Sequence, residues 1–430
     1  MVDTMAVKEQ YRDYVMTGFV KRIEPVVPVR GDGATLWDAD GTEYIDCFAG
    51  ISVTNAGHGN RAIIEAAKAE ADKIVHACAY VYYVPKVGEL AEKLAQITLG
   101  RLQKSFFANS GGEANEGAMR LAKRYTGKCE FVALESSFHG RTYATLSVTG
   151  NSARKKGGGP YMAGVAYVPT PYCYRCFAET TPDKCDMLCA RRVSEVARLH
   201  LSGDVCAFIA EPVMGEGGII TPPDDYFKRV KQILDDEGIL FIADEVQSGF
   251  GRTGKMFGID HYGVEPDIIT MAKGIADGWP LSAFTARAEI ADSFQIGDHL
   301  STFGGNPVSC AAALANIEFL QDGVIEASAK KGADLKARFE AVMKDQPLIG
   351  DVRGKGLMIG VELVEDRTTK VPASAAAGFV RQYCLEHNVL IGVGGNFGSV
   401  LRVQPPLVID AGQIDRVFDT IVDGLKAYRK

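Results

Sequence analysis

The sequence predicts an α/β protein with a mostly parallel central sheet covered by helices. Short apolar runs alternate with helix-period segments through the middle of the chain. The clearest runs, Val205 to Ala210, Ile239 to Ala243 and Asp267 to Ala272, are almost unbroken in apolar residues, as strands buried on both faces are. At 430 residues the chain is too long for one small core, so two domains, or one large domain with an appendage, are expected.

Helical periodicity is clearest over Glu113 to Tyr125, Ala190 to Leu201 and Asp225 to Glu237. Residues 1–55 read as hairpin-like, with Asp40-Gly41 as a tight-turn signal. Near Gly323 the texture changes. An amphipathic helix over about Val324 to Lys344 leads into a more antiparallel region of short strands: Gly350 to Leu363, Val389 to Gly392 and Val400 to Val403. A last helix runs from about Ala411 to Lys430. The expected division is a large α/β domain over 56–323 and a smaller α+β domain made of 1–55 and 324–430.

Composition narrows the function. Apolar residues make up 47% and charged residues 23%, ordinary values for a globular protein. A net charge of −7 gives no electrostatic reason to expect nucleic acid or an anionic membrane as partner. No apolar run approaching the ~18 residues of a spanning helix is apparent. Met1 to Lys21 mixes acids and bases without the apolar segment of a secretory leader, so a cytoplasmic location is the expectation.

Four places could carry chemistry. Lys273 follows an apolar strand, where an ammonium is costly unless neutralised or used. Such a lysine has a lowered pKa and can condense with an aldehyde; the plainer reading is a side chain that reaches out of the sheet end to water. Asp244 also ends an apolar strand, and acids there face the crevice in which doubly wound sheets bind ligands. It suits the ring nitrogen of a heterocycle that must be kept protonated, or it simply caps the next turn. Ser110-Gly111-Gly112-Glu113 opens a helix, and its N–H groups suit a phosphate, while Ser110 and Glu113 also form a capping box. Phe138-His139-Gly140-Arg141 offers a ring that could stack on a flat heterocycle and a guanidinium that could grip a carboxylate; a core aromatic beside a surface arginine is the alternative.

Together these phrases resemble the class III, fold-type I, pyridoxal-phosphate (PLP) aminotransferases over essentially the whole chain. Ser110-Gly-Gly-Glu-Ala-Asn, Phe138-His-Gly-Arg-Thr, Glu211-Pro-Val-Met-Gly-Glu-Gly-Gly, the run from Asp244-Glu-Val-Gln to Ala272-Lys-Gly, Thr302-Phe-Gly-Gly-Asn-Pro and Leu401-Arg-Val-Gln-Pro-Pro-Leu stand in the family's order. The resemblance implies that Lys273 holds PLP as a Schiff base and then moves the proton between Cα and C4′. It implies that Asp244 meets the pyridine nitrogen, Gln247 the phenolic oxygen, and Val246 and Phe138 the two ring faces, with His139 beside them. Ser110, Gly111 and Gly112 would hold the phosphate, with Thr302 reaching it from a second subunit, so a homodimer or a dimer of dimers is implied. Arg402 would bind the 2-oxo acid's carboxylate with Glu211 as its switch partner, Arg141 would take a distal or alternative carboxylate, and Ile51 would line the substrate pocket. Gly112, where many relatives carry a hydroxyl or small side chain, and Phe303, where some carry His or Tyr, depart from the pattern.

The implied reaction moves an amino group from an ω-amino acid or related amine to a 2-oxo acid (pyruvate, glyoxylate or 2-oxoglutarate), in two half-reactions through pyridoxamine phosphate. Asp351-Val-Arg-Gly-Lys-Gly-Leu-Met and Gly392-Val-Gly-Gly resemble the alanine–glyoxylate and β-amino-acid branch more than the ornithine branch. An amino-acid racemase or epimerase on the same scaffold would use the same residues. A third reading is a non-catalytic metal-binding scaffold. It rests on Cys173, Cys176, Cys185 and Cys189, in an insert over about 171–190, whose spacing could hold a structural zinc, could form disulfides or could leave the thiols free.

Overall fold

The computed structural model describes residues 2–18 and 23–429. Met1 and residues 19–22, part of the N-terminal stretch read above, and Lys430, the expected end of the last helix, lie outside them. Among the described residues the strands, in chain order, are β1 (Pro28–Asp32), β2 (Thr35–Asp38), β3 (Glu43–Cys47), β4 (Leu102–Ala108), β5 (Glu130–Leu134), β6 (Val165–Val168) and β7 (Val205–Ala210). They continue with β8 (Leu240–Asp244), β9 (Ile268–Met271), β10 (Ser282–Arg287), β11 (Ile349–Lys355), β12 (Met358–Leu363), β13 (Val389–Gly394) and β14 (Val400–Val403).

These strands form two seven-stranded sheets. The larger has the order β4-β10-β9-β8-β7-β5-β6. Its strands β9, β8, β7, β5 and β6 pair in parallel, and β10 alone runs against both of its neighbours. Every residue of β5, β7, β8 and β9 is buried, which explains why these strands read as unbroken apolar runs. Phe208, Phe227 and Phe241 pack together beneath the sheet, each fully buried. Parallel strands carry their carboxyl ends to one edge, and that edge holds the cleft described below.

The second sheet, β1-β2-β3-β13-β14-β12-β11, draws its strands from both ends of the chain. The parallel pairing of β3 with β13 joins the two contributions; the other pairings are antiparallel. The Asp40-Gly41 turn connects β2 to β3, with Gly41 at φ 84° and Asp38 Oδ1 accepting from the N–H groups of Asp40 and Thr42.

Arg252 ties the two sheets. It is fully buried, and it donates to the carbonyls of Leu357 (3.1 Å) and Pro405 (2.5 Å) and to Asn55 Oδ1 (2.6 Å). Burial pulls its pKa down to about 9, still above neutrality, so the guanidinium stays charged and its carbonyl partners must remain in place.

One stretch, Pro307–Met343, is long and apolar enough by length and composition to cross a membrane, which the reading of the sequence did not anticipate. Half of its apolar window is buried inside the protein, and Asp322 and Gly323 break it into two helices. The first, Pro307–Phe319, packs on the helices Arg61–Ala71 and Pro85–Ile97, so its apolar character is that of a core helix.

The cysteine insert departs from the zinc expectation. All ten cysteines are free, and among the described residues no group of three or more His, Cys, Asp or Glu side chains is arranged to hold a metal ion. The insert is fastened by other means. Arg175 and Tyr172 both bond the buried Glu362 of β12, Lys370 donates to the Tyr174 carbonyl, and Asp186 pairs with Arg191 and Arg229.

Replacing Arg252 with leucine strands three buried acceptors and is expected to lower stability by about 2–4 kcal/mol. Thermal or urea unfolding checks this, and a loss below about 0.5 kcal/mol would contradict the bracing role.

Candidate active site

Three adjacent strands deliver ionisable groups to one place. β7 runs into Glu211, β8 ends on Asp244, and β9 is followed one residue on by Lys273. Glu211 and Asp244 are buried, and Lys273 is half-buried on the wall of a cleft of about 550 Å³. The same cleft is lined by Ser110, Gly111 and Gly112, by Phe138, His139 and Arg141, and by Val246 and Gln247. The structure therefore brings together most of the residues singled out in the sequence.

Asp244 is held from three sides. Its Oδ2 accepts from Asn115 Nδ2 (2.8 Å) and His139 Nδ1 (2.7 Å), and its Oδ1 accepts from the Val246 N–H (3.0 Å). Asn115 is itself fixed, because Thr270 Oγ1 donates to its Oδ1 (2.6 Å) while its Nδ2 also reaches the His139 carbonyl (2.8 Å). A carboxylate only accepts, so His139 carries a proton on Nδ1; its buried Nε2 has no partner among the described residues. One accepting position on Oδ1 is left for a donor in the cleft.

Lys273 sits at φ 48°, in the left-handed region, at the start of a turn whose carbonyls at Gly274 and Ile275 accept from Asn316 Nδ2. Enclosure by protein is the main cause lowering its pKa, with Arg402 acting in the same direction; Glu216, Asp244 and Glu211 oppose it. This moves the amine toward the neutral, nucleophilic form.

The glycines create close approaches. A Cβ on Gly111 would lie 2.7 Å from Val246 Cγ1, and one on Gly215 would lie 2.3 Å from Gln247 Cδ. Ser110 caps the helix Gly111–Thr126, its Oγ accepting from the Glu113 N–H (3.3 Å). The N–H groups of Gly111 and Gly112 have no partner among the described residues, and both glycines line the cleft. That is the donor arrangement an anion needs. Gln247 Oε1 accepts from Arg402 Nη2 (2.9 Å) and Gln404 Nε2 (3.1 Å), which leaves its amide N–H₂ as the group free to donate.

The expected pairing of Arg402 with Glu211 is not found. Glu211 accepts from the N–H groups of Phe138 and Gly215 (3.0 Å each), and burial raises its pKa to about 7. Arg402 instead meets Glu216, Nη1 to Oε1 at 2.7 Å. Burial alone would raise the Glu216 pKa, but Arg402, Arg154 and Lys273 outweigh it and bring it down to about 2. The reason lies in the loop between Met214 and Ile220, which closes with a β-bridge and carries Glu216 across to the second sheet, where Gly395 N–H bonds its carbonyl. Arg402 is buried next to the cleft, close enough to Lys273 to influence its charge, and donates to Gln247 on the cleft wall.

Ile51 and Thr302 are not on the cleft wall. Ile51 belongs to a left-handed turn, Ala49–Ser52, with φ between 48° and 69° at all four residues. Three of the four are not glycine, and each such residue costs about 1–2 kcal/mol. Asp46 Oδ1 holds the turn through the N–H groups of Phe48 and Ala49, and Gln404 donates to Ser52 Oγ. Val53, just beyond the turn, is the residue that lines the cleft. Thr302 is exposed. Reading the sequence missed Asn115, Thr270, Glu216, Arg154 and Trp279, the last of which also lines the cleft. Asn115 and Glu216 lay inside phrases already quoted.

Comparison with known proteins adds the family. The class-III aminotransferase family matches residues 19–425. The chain belongs to the class III aminotransferases. It is 42% identical to an acetylornithine aminotransferase of Methanosarcina mazei, over 95% of this chain and 93% of that one. It is 40% identical to a leucine/methionine racemase of Thermococcus litoralis, over 92% and 90%. The structure of a Bacillus anthracis aminotransferase superposes with a TM-score of 0.93 at 34% identity, covering 100% of both chains. The fold is accordingly PLP fold type I, and PLP is the cofactor expected of the class.

Replacing Asn115 with leucine removes one donor from Asp244 and the acceptor of the Thr270 hydroxyl. A loss of about 1–3 kcal/mol in thermal unfolding is expected. An unchanged melting curve would show that Asp244 does not need this support.

Proposed function

We propose that the chain carries PLP on Lys273 and moves an amino group from an ω-amino acid or related amine to a 2-oxo acid. The observation that carries this reading is the convergence on one cleft of a lysine with lowered pKa, a carboxylate with one accepting position left, and a capped helix with free N–H groups. When bound, the cofactor supplies an aldehyde carbon that captures the amine and a protonated ring that draws electrons from the substrate Cα.

In this reading Asp244 holds the proton on the pyridine nitrogen, and His139 and Asn115 keep the carboxylate oriented. Gly111 and Gly112 bind the phosphate, Phe138 and Val246 flank the ring, and Gln247 donates to the phenolic oxygen. Lys273 forms the covalent link and, once displaced by the amine, takes the proton from Cα and returns it at C4′. Arg402 receives the carboxylate of the 2-oxo acid. With a donor whose reacting carbon bears no carboxylate, Glu216 keeps Arg402 neutralised. Arg141, exposed at the cleft with its guanidinium over the Phe138 ring, takes the donor's distal carboxylate.

A second copy of the chain is part of the proposal. Thr302 is flanked by exposed apolar side chains, Leu300 and Phe303, at 59% and 63% exposure, and Tyr83 and Ile296 are fully exposed. Apolar surface of this kind suits a subunit interface, across which Thr302 would reach the partner's phosphate.

The similarity to a leucine/methionine racemase supports a second reading, in which Lys273 returns the proton to Cα. The two separate on one experiment: the holoenzyme and a Lys273→Ala variant are mixed with 4-aminobutyrate, β-alanine or L-alanine, and the visible band of the lysine-bound cofactor is followed. The proposal expects the band to bleach with a donor and return with a 2-oxo acid, and Lys273→Ala to lower turnover about 10²–10⁴-fold or more. A band that persists with L-alanine while the alanine loses optical purity would establish the racemase instead. No band after PLP is added would contradict both.

A further inference from the structure

Glu216 is held by two arginines, and only one of them belongs to the switch described above. Arg402 Nη1 lies 2.7 Å from Oε1, and Arg154 Nη2 lies 2.7 Å from Oε2. The Arg402 side chain is 3% exposed, that of Glu216 12% and that of Arg154 38%, so the bridge runs from the interior outward. Gly394 makes room for the inner arginine, since a Cβ there would lie 2.7 Å from Arg402 Cδ.

The arrangement bears on how the switch works. When an incoming carboxylate engages Arg402, it displaces Glu216 from that guanidinium. A largely buried carboxylate left unpaired is strongly unfavourable and would pull the equilibrium back, weakening the bound substrate. Glu216 has a second oxygen already bonded to Arg154, so it can lose Arg402 and remain paired.

We propose that Arg154 is the retained partner of Glu216, a positioning residue that sets the affinity for the 2-oxo acid by stabilising the state in which Glu216 has let go of Arg402. The inference rests on Arg402 being the carboxylate-binding arginine. Arg154 touches neither the substrate nor the reacting atoms; it acts through Glu216. It favours acceptors whose carboxylate sits beside the reacting carbon, because those alone require Arg402 to be free. Its contribution is moderated by its partial exposure.

The test uses the PLP-loaded enzyme and propanoate, a carboxylate that cannot react, with its dissociation constant measured by calorimetry. Arg154→Met is expected to weaken propanoate about tenfold, while the apoenzyme's affinity for PLP stays within about twofold. Arg154→Lys restores most of the propanoate affinity. Adding Glu216→Gln to Arg154→Met removes the charge that needs a partner and returns propanoate affinity to the wild-type level or tighter. Unchanged propanoate binding in Arg154→Met would overturn the inference. So would a double variant as weak as the single one, since that pattern marks structural damage. Arg402→Ala distinguishes failure of the underlying reading: if it leaves propanoate binding intact, or if the wild-type enzyme does not bind propanoate, Arg402 is not the carboxylate site and the inference falls with it.

Discussion

The site depends on one constraint: three ionisable groups leave three neighbouring parallel strands at the same edge of a buried sheet. Glu211, Asp244 and Lys273 cannot each be solvated there, so their charges have to be settled among themselves and their immediate partners. Asp244 accepts hydrogen bonds from Asn115, His139 and the Val246 N–H. Glu211 receives only two backbone N–H groups, and burial raises its pKa to about 7. Lys273 is left with a lowered pKa, and a lysine in that condition is reactive toward a carbonyl. The reactivity follows from the strand arrangement rather than from any one residue.

A second tier of groups keeps those charges in place. Thr270 fixes Asn115, Gln404 joins Gln247 to Ser52, and the left-handed turn Ala49–Ser52 is pinned by Asp46, whose other oxygen lies 2.8 Å from His58 Nε2. Backbone strain of this kind persists only where surrounding contacts over-determine it. Lys273, on the cleft wall, and Asp277, whose Oδ1 accepts from the Ala56 N–H just beyond the turn, also carry positive φ. The cleft is thus framed by backbone that neighbouring bonds hold in unfavourable conformations, which suits a site that must present fixed groups.

Legibility in the sequence followed burial. β7 and β14 coincide with the runs Val205 to Ala210 and Val400 to Val403, and β8 and β9 differ from their expected ends by a residue. These strands are buried throughout, so apolar continuity marks them directly. Lys273 and Asp244 stood out because a charge ending an apolar run is costly. The partner of Arg402 was not legible. Glu211 and Glu216 share one phrase, and only the bridge between Met214 and Ile220 decides which of them reaches β14. Asn115 was hidden for a similar reason: its role depends on β8 and β9 lying beside the helix Gly111–Thr126, a contact between distant segments. The cysteine spacing suggested a metal, but among the described residues no group of three or more candidate ligands is arranged to hold one, because spacing along the chain does not fix where the four thiols point.

The most direct test concerns the proton that Asp244 is proposed to hold. Apoenzyme reconstituted with PLP labelled with ¹⁵N in the ring can be examined by NMR, in the wild-type chain and in Asp244→Asn. The account expects a ring-nitrogen shift characteristic of a protonated pyridine in the wild type, and of an unprotonated one in the variant. An unprotonated ring in the wild type, or a protonated ring in both, would contradict the central assignment of this carboxylate to the cofactor.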